Sequence, residues 1–481
     1  MKPFLTIKEL KEKLNKKEIN PSESISFYLN RLKKYKDKLN ATIDIFEPNN
    51  LENINIDNKH LLVGIPGILK SNISQKDKKI TCGSNILKNY TSPYDATVTE
   101  KLKNSGAQIL ATANMDEFAM GNSGEFSAFG MSKNPWNLDL VPGGSSSGSA
   151  AAVCAGLVPW ALGSETGGSV RQPAAFCGLV GLYPTYGTFS RYGVIAFASS
   201  NDQVGPLTKT VYDNALISSI IMGQDPKDST TLARKPEDFT QNLTGKLPKN
   251  LKIGVIKDSL NSKSVDSQVL SGFENAINQL EKLGAKIEYV TLPNLKYGIS
   301  VYFIITRAEA ASNLARFDGT LYGSRDKSAQ ELKDLYLNTR GAGFGIEVKR
   351  RILTGNYVLS ADHKNTFYNK ADIARSLLRQ DFENIFNSVD LLISPTVPTL
   401  PFKIGQESAD PFKTQMADYF TVPTNITGNP ALSLPCGFSK ENLPIGFQFI
   451  GPRLSESLIY QVAYAFEQST DYHTKNPAGF E

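Results

Sequence analysis

The sequence is poor in histidine and cysteine, which limits the catalytic and metal chemistry it can support. Only three histidines and four cysteines occur among 481 residues. His60, His363 and His473 lie far apart and no Cys-x-x-Cys pair is present, so the ligand spacing of a zinc site is missing. We therefore predict no metal site in this chain. Cys154 and Cys177 lie in apolar or glycine-rich stretches, which favours buried, reduced thiols.

A strong excess of charge and a long apolar run are also missing. The 52 basic and 47 acidic side chains leave a net charge of +5, which permits an acidic partner such as RNA without arguing for one. No apolar run approaches the roughly 20 residues that span a bilayer. The start, "MKPFLTIKEL", lacks the apolar core of a signal peptide. We expect no membrane partner and a cytoplasmic protein, or one in an organelle matrix if a presequence was removed.

Helix and strand patterns alternate along the chain. Residues 250–258, 266–284 and 285–292 read as strand, helix and strand, which is a β-α-β unit; 370–389 and 390–396 repeat helix then strand, and 107–115 and 455–469 read as a strand and a closing helix. Two helix starts are predicted, with a cap at Ser22 and a capping box from Thr97 to Glu100. The alternation predicts an α/β fold with a central mixed, mostly parallel sheet covered by helices on both faces. We expect a single domain over residues 1–481, with residues 1–60 as an N-terminal helical segment packed on it.

Two loops rich in glycine and serine stand out from this pattern. They read "PGGSSSGSA" over residues 142–150 and "GSETGGSVRQP" over 163–173, and each precedes a stretch that can be helical. A glycine-rich turn before a helix exposes backbone N–H groups, which suit a phosphate or the oxyanion of acyl transfer. Neither loop has the Gly-Lys-Ser/Thr ending of a phosphate loop, and no dinucleotide signature follows a strand. Acyl transfer is therefore favoured over nucleotide binding and over plain tight turns.

The second loop offers a nucleophile with its own oxyanion site. Ser169 follows two glycines, and the N–H groups of Thr166, Gly167, Gly168 and Ser169 can converge on one oxygen. No histidine has a sequence context that supports a Ser-His-Asp triad. Lys70 is the other candidate base: it ends the apolar run "LLVGIPGILK", where lost solvation favours the neutral amine. The alternative is that Lys70 only marks the exit of a strand into solvent.

Lys70, the first loop and "GSETGGSVRQPAAFCGLVGLYPTYG" together resemble the amidase signature family, and the residues at 70, 145 and 169 have its spacing. Later blocks, such as "EAASNLARFDG" and "MADYFTVPTNITGNPALSLPCG", are similar to its glutaminase subunits in tRNA-dependent amidotransferases. The resemblance covers about residues 60 to 470. It implies the amidase signature fold, with Ser169 as nucleophile, Ser145 as the bridging serine of a cis peptide after Gly144, and Lys70 as base.

The same resemblance implies a substrate and partners. Glutamine would be bound by Arg351 and Asp418, with Tyr302 nearby; a planar guanidinium suits the α-carboxylate and a carboxylate suits the α-ammonium. Arg350 is adjacent to Arg351, so sequence leaves the choice between them open. Ammonia would pass to the B subunit of an amidotransferase, which amidates Glu-tRNA(Gln), or Asp-tRNA(Asn), and a small C subunit would complete the heterotrimer. No cofactor would bind this chain, because ATP and magnesium would be used in the partner subunit.

Three residues depart from the family pattern. Ser71 replaces the usual aspartate after the lysine, Ser147 replaces a glycine of the first loop, and Glu165 replaces an aspartate before the second. Ser71 removes a carboxylate beside Lys70, and Ser147 adds a Cβ where backbone freedom is normally greatest. No catalytic group is lost. Two alternatives therefore stay open: a free-standing amidase of the same superfamily, and a catalytically weak assembly subunit.

Overall fold

One mixed sheet of eleven strands runs through the molecule. A computed structural model describes residues 1–48, 60–261, 265–406 and 416–481. The strands lie in the order β1-β3-β2-β4-β6-β5-β10-β11-β9-β7-β8. Their bounds are Thr42–Ile45 (β1), Gly67–Lys70 (β2), Ile109–Ala113 (β3), Trp160–Glu165 (β4), Val180–Tyr183 (β5), Gln203–Thr208 (β6), Lys252–Ile256 (β7), Lys286–Val290 (β8), Leu391–Pro395 (β9), Ala431–Phe438 (β10) and Pro444–Ile450 (β11).

The prediction of an α/β fold with a mixed sheet is confirmed, but the sheet is not mostly parallel. Only the contacts β3–β2, β2–β4, β9–β7 and β7–β8 are parallel; the other six of the ten strand contacts among the described residues are antiparallel. The β-α-β pattern over residues 250–292 correctly predicted the parallel pairing of β7 with β8. The centre differs because β10 and β11 are joined by five residues, and so short a connection allows only antiparallel pairing.

Helices flank this sheet. Their bounds are Ile7–Asn15 (α1), Pro21–Lys34 (α2), Lys36–Leu39 (α3), Thr97–Asn104 (α4), Ser147–Cys154 (α5), Arg171–Cys177 (α6), Val211–Ile221 (α7), Ser267–Lys282 (α8), Gly298–Asn313 (α9), Leu332–Gly343 (α10), Ile346–Leu359 (α11), Tyr368–Ile385 (α12), Val422–Thr427 (α13) and Glu456–Gln468 (α14). The predicted elements at 107–115, 250–292, 370–396 and 455–469 are all present, within a few residues at their ends.

Both predicted helix caps are wrong. α2 is capped by Asn20, whose side chain accepts from the N–H of Glu23 while Glu23 bonds back, and Pro21 is its first residue. Because Pro21 fixes a helical φ, the helix begins before Ser22. α4 begins at Thr97 itself after Ala96, which has no capping side chain. The Thr97-to-Glu100 pattern therefore lies inside the helix and does not start it.

The N-terminal helices are fixed to the rest of the molecule by buried polar contacts. The N–H groups of Ile7 and Lys8 donate to the carboxylate of Asp213 on α7 at 2.8 and 3.2 Å. Arg31 on α2 donates to the carbonyls of Ala155 and Gly156 at 3.0 and 2.8 Å. Part of the predicted 1–60 segment, residues 49–59, lies outside the described residues. The single domain over residues 1–481 is kept as a proposal, supported by the one sheet.

The two glycine- and serine-rich loops lie in the middle of the core. Every residue from 141 to 185 is buried, including the loops themselves. Each loop leads directly into a short helix, α5 or α6. All four cysteines are buried and free, as expected for reduced thiols. Within the described ranges, no helix is long and apolar enough to cross a membrane.

Candidate active site

Lys70 is the last residue of β2 and is fully buried. Its Nζ lies 2.7 Å from Ser145 Oγ, 2.9 Å from Ser146 Oγ and 3.0 Å from the carbonyl oxygen of Ser164. Burial lowers the pKa of the amine to about 7, although the carboxylates of Asp116 and Asp202 act in the opposite direction. The alternative of a strand leaving into solvent is therefore wrong. Near neutral pH, a large fraction of this amine carries a lone pair.

If the amine of Lys70 is neutral, these three contacts allow only one assignment of its two hydrogens and its lone pair. The carbonyl of Ser164 can only accept, and Ser146 Oγ already donates to that carbonyl at 3.1 Å. A neutral Nζ has two hydrogens, which go to Ser164 and Ser146. Its lone pair then faces Ser145, whose hydroxyl becomes the donor. Neutral Lys70 is thus arranged to accept a proton from Ser145.

The first loop presents Ser145 from a tightly held backbone. The peptide bond between Gly144 and Ser145 is cis. The N–H of Gly144 donates to Gln172 Oε1 at 2.9 Å, and the carbonyl of Ser145 accepts from the N–H of Asp116 at 3.2 Å. A Cβ on Gly144 would come within 2.1 Å of Asp116 Oδ2, so only glycine fits there.

Ser169 lies on the neighbouring loop, after β4. Its carbonyl accepts from the N–H of Ser146 at 3.2 Å, which joins the two loops backbone to backbone. Its Oγ forms no hydrogen bond with the described part of the chain, and neither do the N–H groups of Gly167, Gly168 and Ser169. Three donors and a hydroxyl are thus free for a substrate. The hydroxyl of the fourth predicted residue, Thr166, donates to Asp202 at 2.6 Å.

A buried ion pair holds the second loop in place. Glu165 Oε2 accepts from the N–H groups of Val170 and Arg171 at 3.0 Å, and its Oε1 pairs with the Arg171 guanidinium. Arg171 also donates to three groups far along the chain: Gln448 Oε1 at 2.6 Å, Asn425 Oδ1 at 2.8 Å and the carbonyl of Thr421 at 2.9 Å. The turn that presents Ser169 is therefore anchored at both of its ends.

The predicted glutamine-binding residues meet on the other side of this loop. Tyr302 on α9 and Asp418 both lie against it: a Cβ on Gly167 would reach 2.5 Å from the Tyr302 ring, and one on Gly168 would reach 3.1 Å from Asp418 Oδ1. Arg351 on α11 is electrostatically coupled to both residues. Burial raises the pKa of Asp418 to about 7, although Arg351 lowers it.

The two adjacent arginines of α11 differ in burial and direction. Arg351 is 6% exposed, and its Nε donates to Glu347 Oε1 at 2.6 Å. Arg350 points outward, with its side chain 42% exposed, and pairs with the other oxygen of Glu347 at 2.5 Å. Arg351 therefore faces the loop that carries Ser169, and Arg350 does not.

The three departures from the family pattern are accommodated locally. Ser71 Oγ lies 2.9 Å from Thr81 Oγ1. Among the carboxylates that raise the pKa of Lys70, that of buried Asp116 has the largest effect. Ser147 is the first residue of α5, where no glycine conformation is needed, and its side chain packs against Gly124. Glu165 forms the buried ion pair already described. None of the three displaces Lys70, Ser145 or Ser169.

Sequence reasoning missed several residues around these loops, Asp116 above all. Burial raises the pKa of Asp116 to about 6, while N–H groups of Phe126 and Gly124 stabilise its charge from 3.0 Å. One signal could have found it. β3, β2 and β4 are parallel neighbours, so their carboxyl ends meet at one edge of the sheet. Lys70, Asp116 and Glu165 lie at or just beyond those ends. Gln172, Asp202 and Thr421 carry no comparable signal.

No group of three or more histidine, cysteine, aspartate or glutamate side chains suited to a metal ion occurs in residues 1–48, 60–261, 265–406 and 416–481. The arrangement instead offers a base, two hydroxyls, free backbone donors and a charged pair beside them. This set can bind a small zwitterion and transfer its acyl group to a serine.

Comparison with known proteins identifies a family whose chemistry agrees with this set of groups. Residues 23–460 match the model of the amidase family. The A subunit of glutamyl-tRNA(Gln) amidotransferase from Halothermothrix orenii is 50% identical over 473 residues, and that from Listeria welshimeri is 48% identical over 480, each covering 98% of both chains.

Solved structures agree in fold. The crystal structure of the glutamyl-tRNA(Gln) amidotransferase A subunit from Thermotoga maritima superposes with a TM-score of 0.81 at 41% identity, covering 96% of this chain and 94% of that one. A 6-aminohexanoate cyclic dimer hydrolase, at 23% identity and a TM-score of 0.84 over 99% of both chains, shares the fold alone. The chain belongs to the amidase family.

Proposed function

We propose that this chain is the glutaminase subunit of a tRNA-dependent amidotransferase. The observation that carries the proposal is the contact of buried Lys70 with Ser145, one loop away from a free Ser169 hydroxyl. Relatives that match over nearly the whole chain are named as A subunits of glutamyl-tRNA(Gln) amidotransferase, which supports glutamine as the amide. Arg351 and Asp418 supply the two charges that a free amino acid needs.

In the proposed acylation step, protons move in one direction through three residues. Neutral Lys70 accepts the proton of Ser145, Ser145 accepts that of Ser169, and Ser169 Oγ attacks the side-chain amide carbon of glutamine. The carbonyl oxygen becomes an oxyanion, and the N–H groups of the Thr166-to-Ser169 turn donate to it. Ser145 then donates its proton to the amide nitrogen, Lys70 returns its extra proton to Ser145, and the C–N bond breaks to release ammonia. Water then attacks the acyl-enzyme and gives one proton to the same relay of Ser145 and Lys70, which returns a proton to Ser169 Oγ as glutamate is released.

The substrate side chain is positioned by charge at its far end. Arg351 holds the α-carboxylate and Asp418 holds the α-ammonium, while Tyr302 packs against the loop at Gly167. Asp418 must be ionised to bind an ammonium. Its raised pKa means that substrate binding draws a proton away from this carboxyl near neutral pH.

We propose the B and C subunits of the amidotransferase as partners in a heterotrimer. In it, ammonia from this chain amidates Glu-tRNA(Gln), or Asp-tRNA(Asn), on the partner that uses ATP and magnesium. The free glycine-loop donors serve an oxyanion in this scheme, so no cofactor is assigned to this chain. We place the protein in the cytoplasm, or in an organelle matrix.

The decisive test is Ser169→Ala in the assembled complex. We expect glutamine-dependent amidation to fall about 10⁴-fold or more, because the nucleophile is gone. Amidation with added ammonia should continue, because it bypasses this site. Unchanged glutamine-dependent amidation would mean that the chain serves assembly only. Efficient hydrolysis of varied amides by the chain alone would instead indicate a free-standing amidase.

A further inference from the structure

The outer face of α11 carries large apolar side chains exposed to solvent. Ile346, Leu353 and Tyr357 are 77%, 70% and 53% exposed. Their spacing of seven and eleven residues places them on one side of the helix, and we call them the α11 stripe. The opposite side, with Val348 and Ile352, is buried, and α11 packs there against α9. The helix is therefore apolar on two sides, while only one of them faces the protein.

Exposed large apolar side chains are frequent in this part of the sequence. Of sixteen large apolar side chains exposed among the described residues, nine lie between residues 321 and 377. At the end of α11 the stripe continues into a ring cluster, in which the Tyr357 ring is 4.1 Å from His363 and 6.0 Å from Phe367. Large apolar side chains exposed together on one helix mark an interaction site more often than singly exposed ones do.

The charged side chains around the α11 stripe indicate what kind of partner can bind there. Residues 321–377 contain ten basic and six acidic side chains. The acidic Glu347 on α11 is buried and already neutralised by Arg350 and Arg351, so the exposed flank of the stripe is basic. A second copy of this chain would bring the same basic flank and be repelled. A partner with acidic side chains beside an apolar face is complementary.

We propose that the α11 stripe is the docking surface for an amphipathic helix of a partner protein, apolar on one face and acidic along its edge. The stripe spans twelve residues, or roughly 17 Å of helix, which matches about three turns of a packed partner helix. That the partner belongs to an amidotransferase complex rests on the proposed function. The apolar and basic character of the surface is independent of that function.

Glu347 connects the docking surface with the glutamine site. Glu347 Oε2 pairs with outward-facing Arg350 at 2.5 Å, and its Oε1 accepts from site-facing Arg351 at 2.6 Å. A partner carboxylate that engages Arg350 competes with Glu347 for it. Glu347 then interacts more fully with Arg351, the residue assigned to the glutamine α-carboxylate. Partner binding is thus coupled to the KM for glutamine.

The docking test compares two double variants in full-length chain. Ile346→Ser with Leu353→Ser removes the stripe, whereas Ile373→Ser with Leu377→Ser removes exposed apolar side chains of similar size on α12. Binding of each to the co-purified B and C subunits is measured by isothermal titration, with thermal melting as the folding control. We expect the first variant to weaken binding by about 30-fold or more and the second by less than about threefold.

Every outcome bears on the proposal. Unchanged binding of the first variant overturns it, as does equal weakening by both. If the unaltered chain binds neither of the two partners, the assigned occupant is wrong; the glutaminase assay on the isolated chain then shows separately whether the proposed function fails too. The proposal would also be wrong if the first variant kept its binding to the two partners but lost another interaction. Such interactions are self-association, measured by light scattering, and binding to tRNA or to anionic vesicles.

The coupling is tested with Arg350→Gln. Because Arg350→Gln frees Glu347 as partner binding would, the isolated variant should already hydrolyse glutamine with the KM that the unaltered chain shows in the complex. Addition of the B and C subunits should shift the KM of the unaltered chain but not that of the variant. An equal shift in both would mean that Glu347 does not transmit partner binding, and an absent shift in both would mean that docking and the glutamine site are not coupled.

Discussion

The loops that carry Ser145 and Ser169 and the helix that carries Arg351 are built in opposite ways. Residues 141–185 are buried throughout, and their polar groups are held by other buried polar groups. α11 offers only its inner face to the protein and leaves the other side exposed. The first region can hold reacting atoms in one geometry because nothing near it is free to move into solvent. The second can respond to what binds outside. The reacting groups are therefore assigned to a fully buried part of the molecule, and Arg351 to a helix with one exposed face.

Removal of Lys70 should give the largest effect on the buried region. Lys70→Met is expected to lower kcat for glutamine about 10²- to 10⁴-fold, the usual contribution of a general base. In the unaltered protein, kcat should fall as pH drops below about 7, because protonation of Lys70 removes the lone pair. Steady-state kinetics between about pH 5.5 and 9 measure this, a range that brackets the lowered pKa.

Lys209 provides the matched control for that experiment. It is also buried, burial lowers its pKa to about 8, and it lies outside the candidate site. Lys209→Met should leave the pH profile of kcat unchanged. A profile that moves with Lys209, or that is flat between about pH 6 and 8, would contradict the assignment of Lys70 as base.

The ion pair behind the Ser169 loop should dominate stability. Glu165→Gln leaves Arg171 charged and incompletely paired in the core, which typically costs about 3–5 kcal/mol. Denaturant unfolding measures the loss. Lys103→Ala breaks a solvent-exposed pair with Asp95 and should cost less than about 1 kcal/mol. Similar losses for the two would mean that the buried pair is no more important than a surface one.

Arg351 should matter for binding more than for chemistry. Arg351→Lys loses the planar guanidinium, and we expect kcat/KM for glutamine to fall by about 2–3 kcal/mol of transition-state binding, or roughly 30- to 150-fold. Most of the change should be in KM. The neighbouring Arg350→Lys, measured without partners, is the control and should stay within about threefold. A larger loss of kcat/KM for Arg350→Lys than for Arg351→Lys would show that the glutamine carboxylate is bound by Arg350 instead.

The smallest effect is expected at Ser147. Because this residue is helical, Ser147→Gly should lower stability by about 0.5–1 kcal/mol and change kcat/KM less than about twofold. Thermal melting and glutamine hydrolysis measure both. A clear gain in activity would show instead that the loop before α5 needs the freedom of glycine.

Sequence predicted the parts of this molecule that depend on local pattern. Alternating helix and strand segments predicted the α/β fold, and the glycine-rich turn before α6 predicted where Ser169 would be presented. Ser145 was predicted only through the family resemblance. What could not be predicted depends on distant contacts. Whether Lys70 is buried is decided by Ser146 and Ser164, which are far along the chain from it. The antiparallel centre depends on which strands meet, and Asp116 depends on which strand ends lie side by side.

The contacts of Arg171 also bear on when the site can exist during synthesis. Its acceptors at Thr421, Asn425 and Gln448 come from the C-terminal part of the chain. While those residues are still in the ribosome, the guanidinium has only Glu165 among its acidic and amide partners. The loop of Ser169 therefore reaches its final support only after residues up to Gln448 have left the ribosome. A truncated chain that ends before residue 421 would contain every proposed proton-transfer residue and still lack the scaffold that orients the nucleophile.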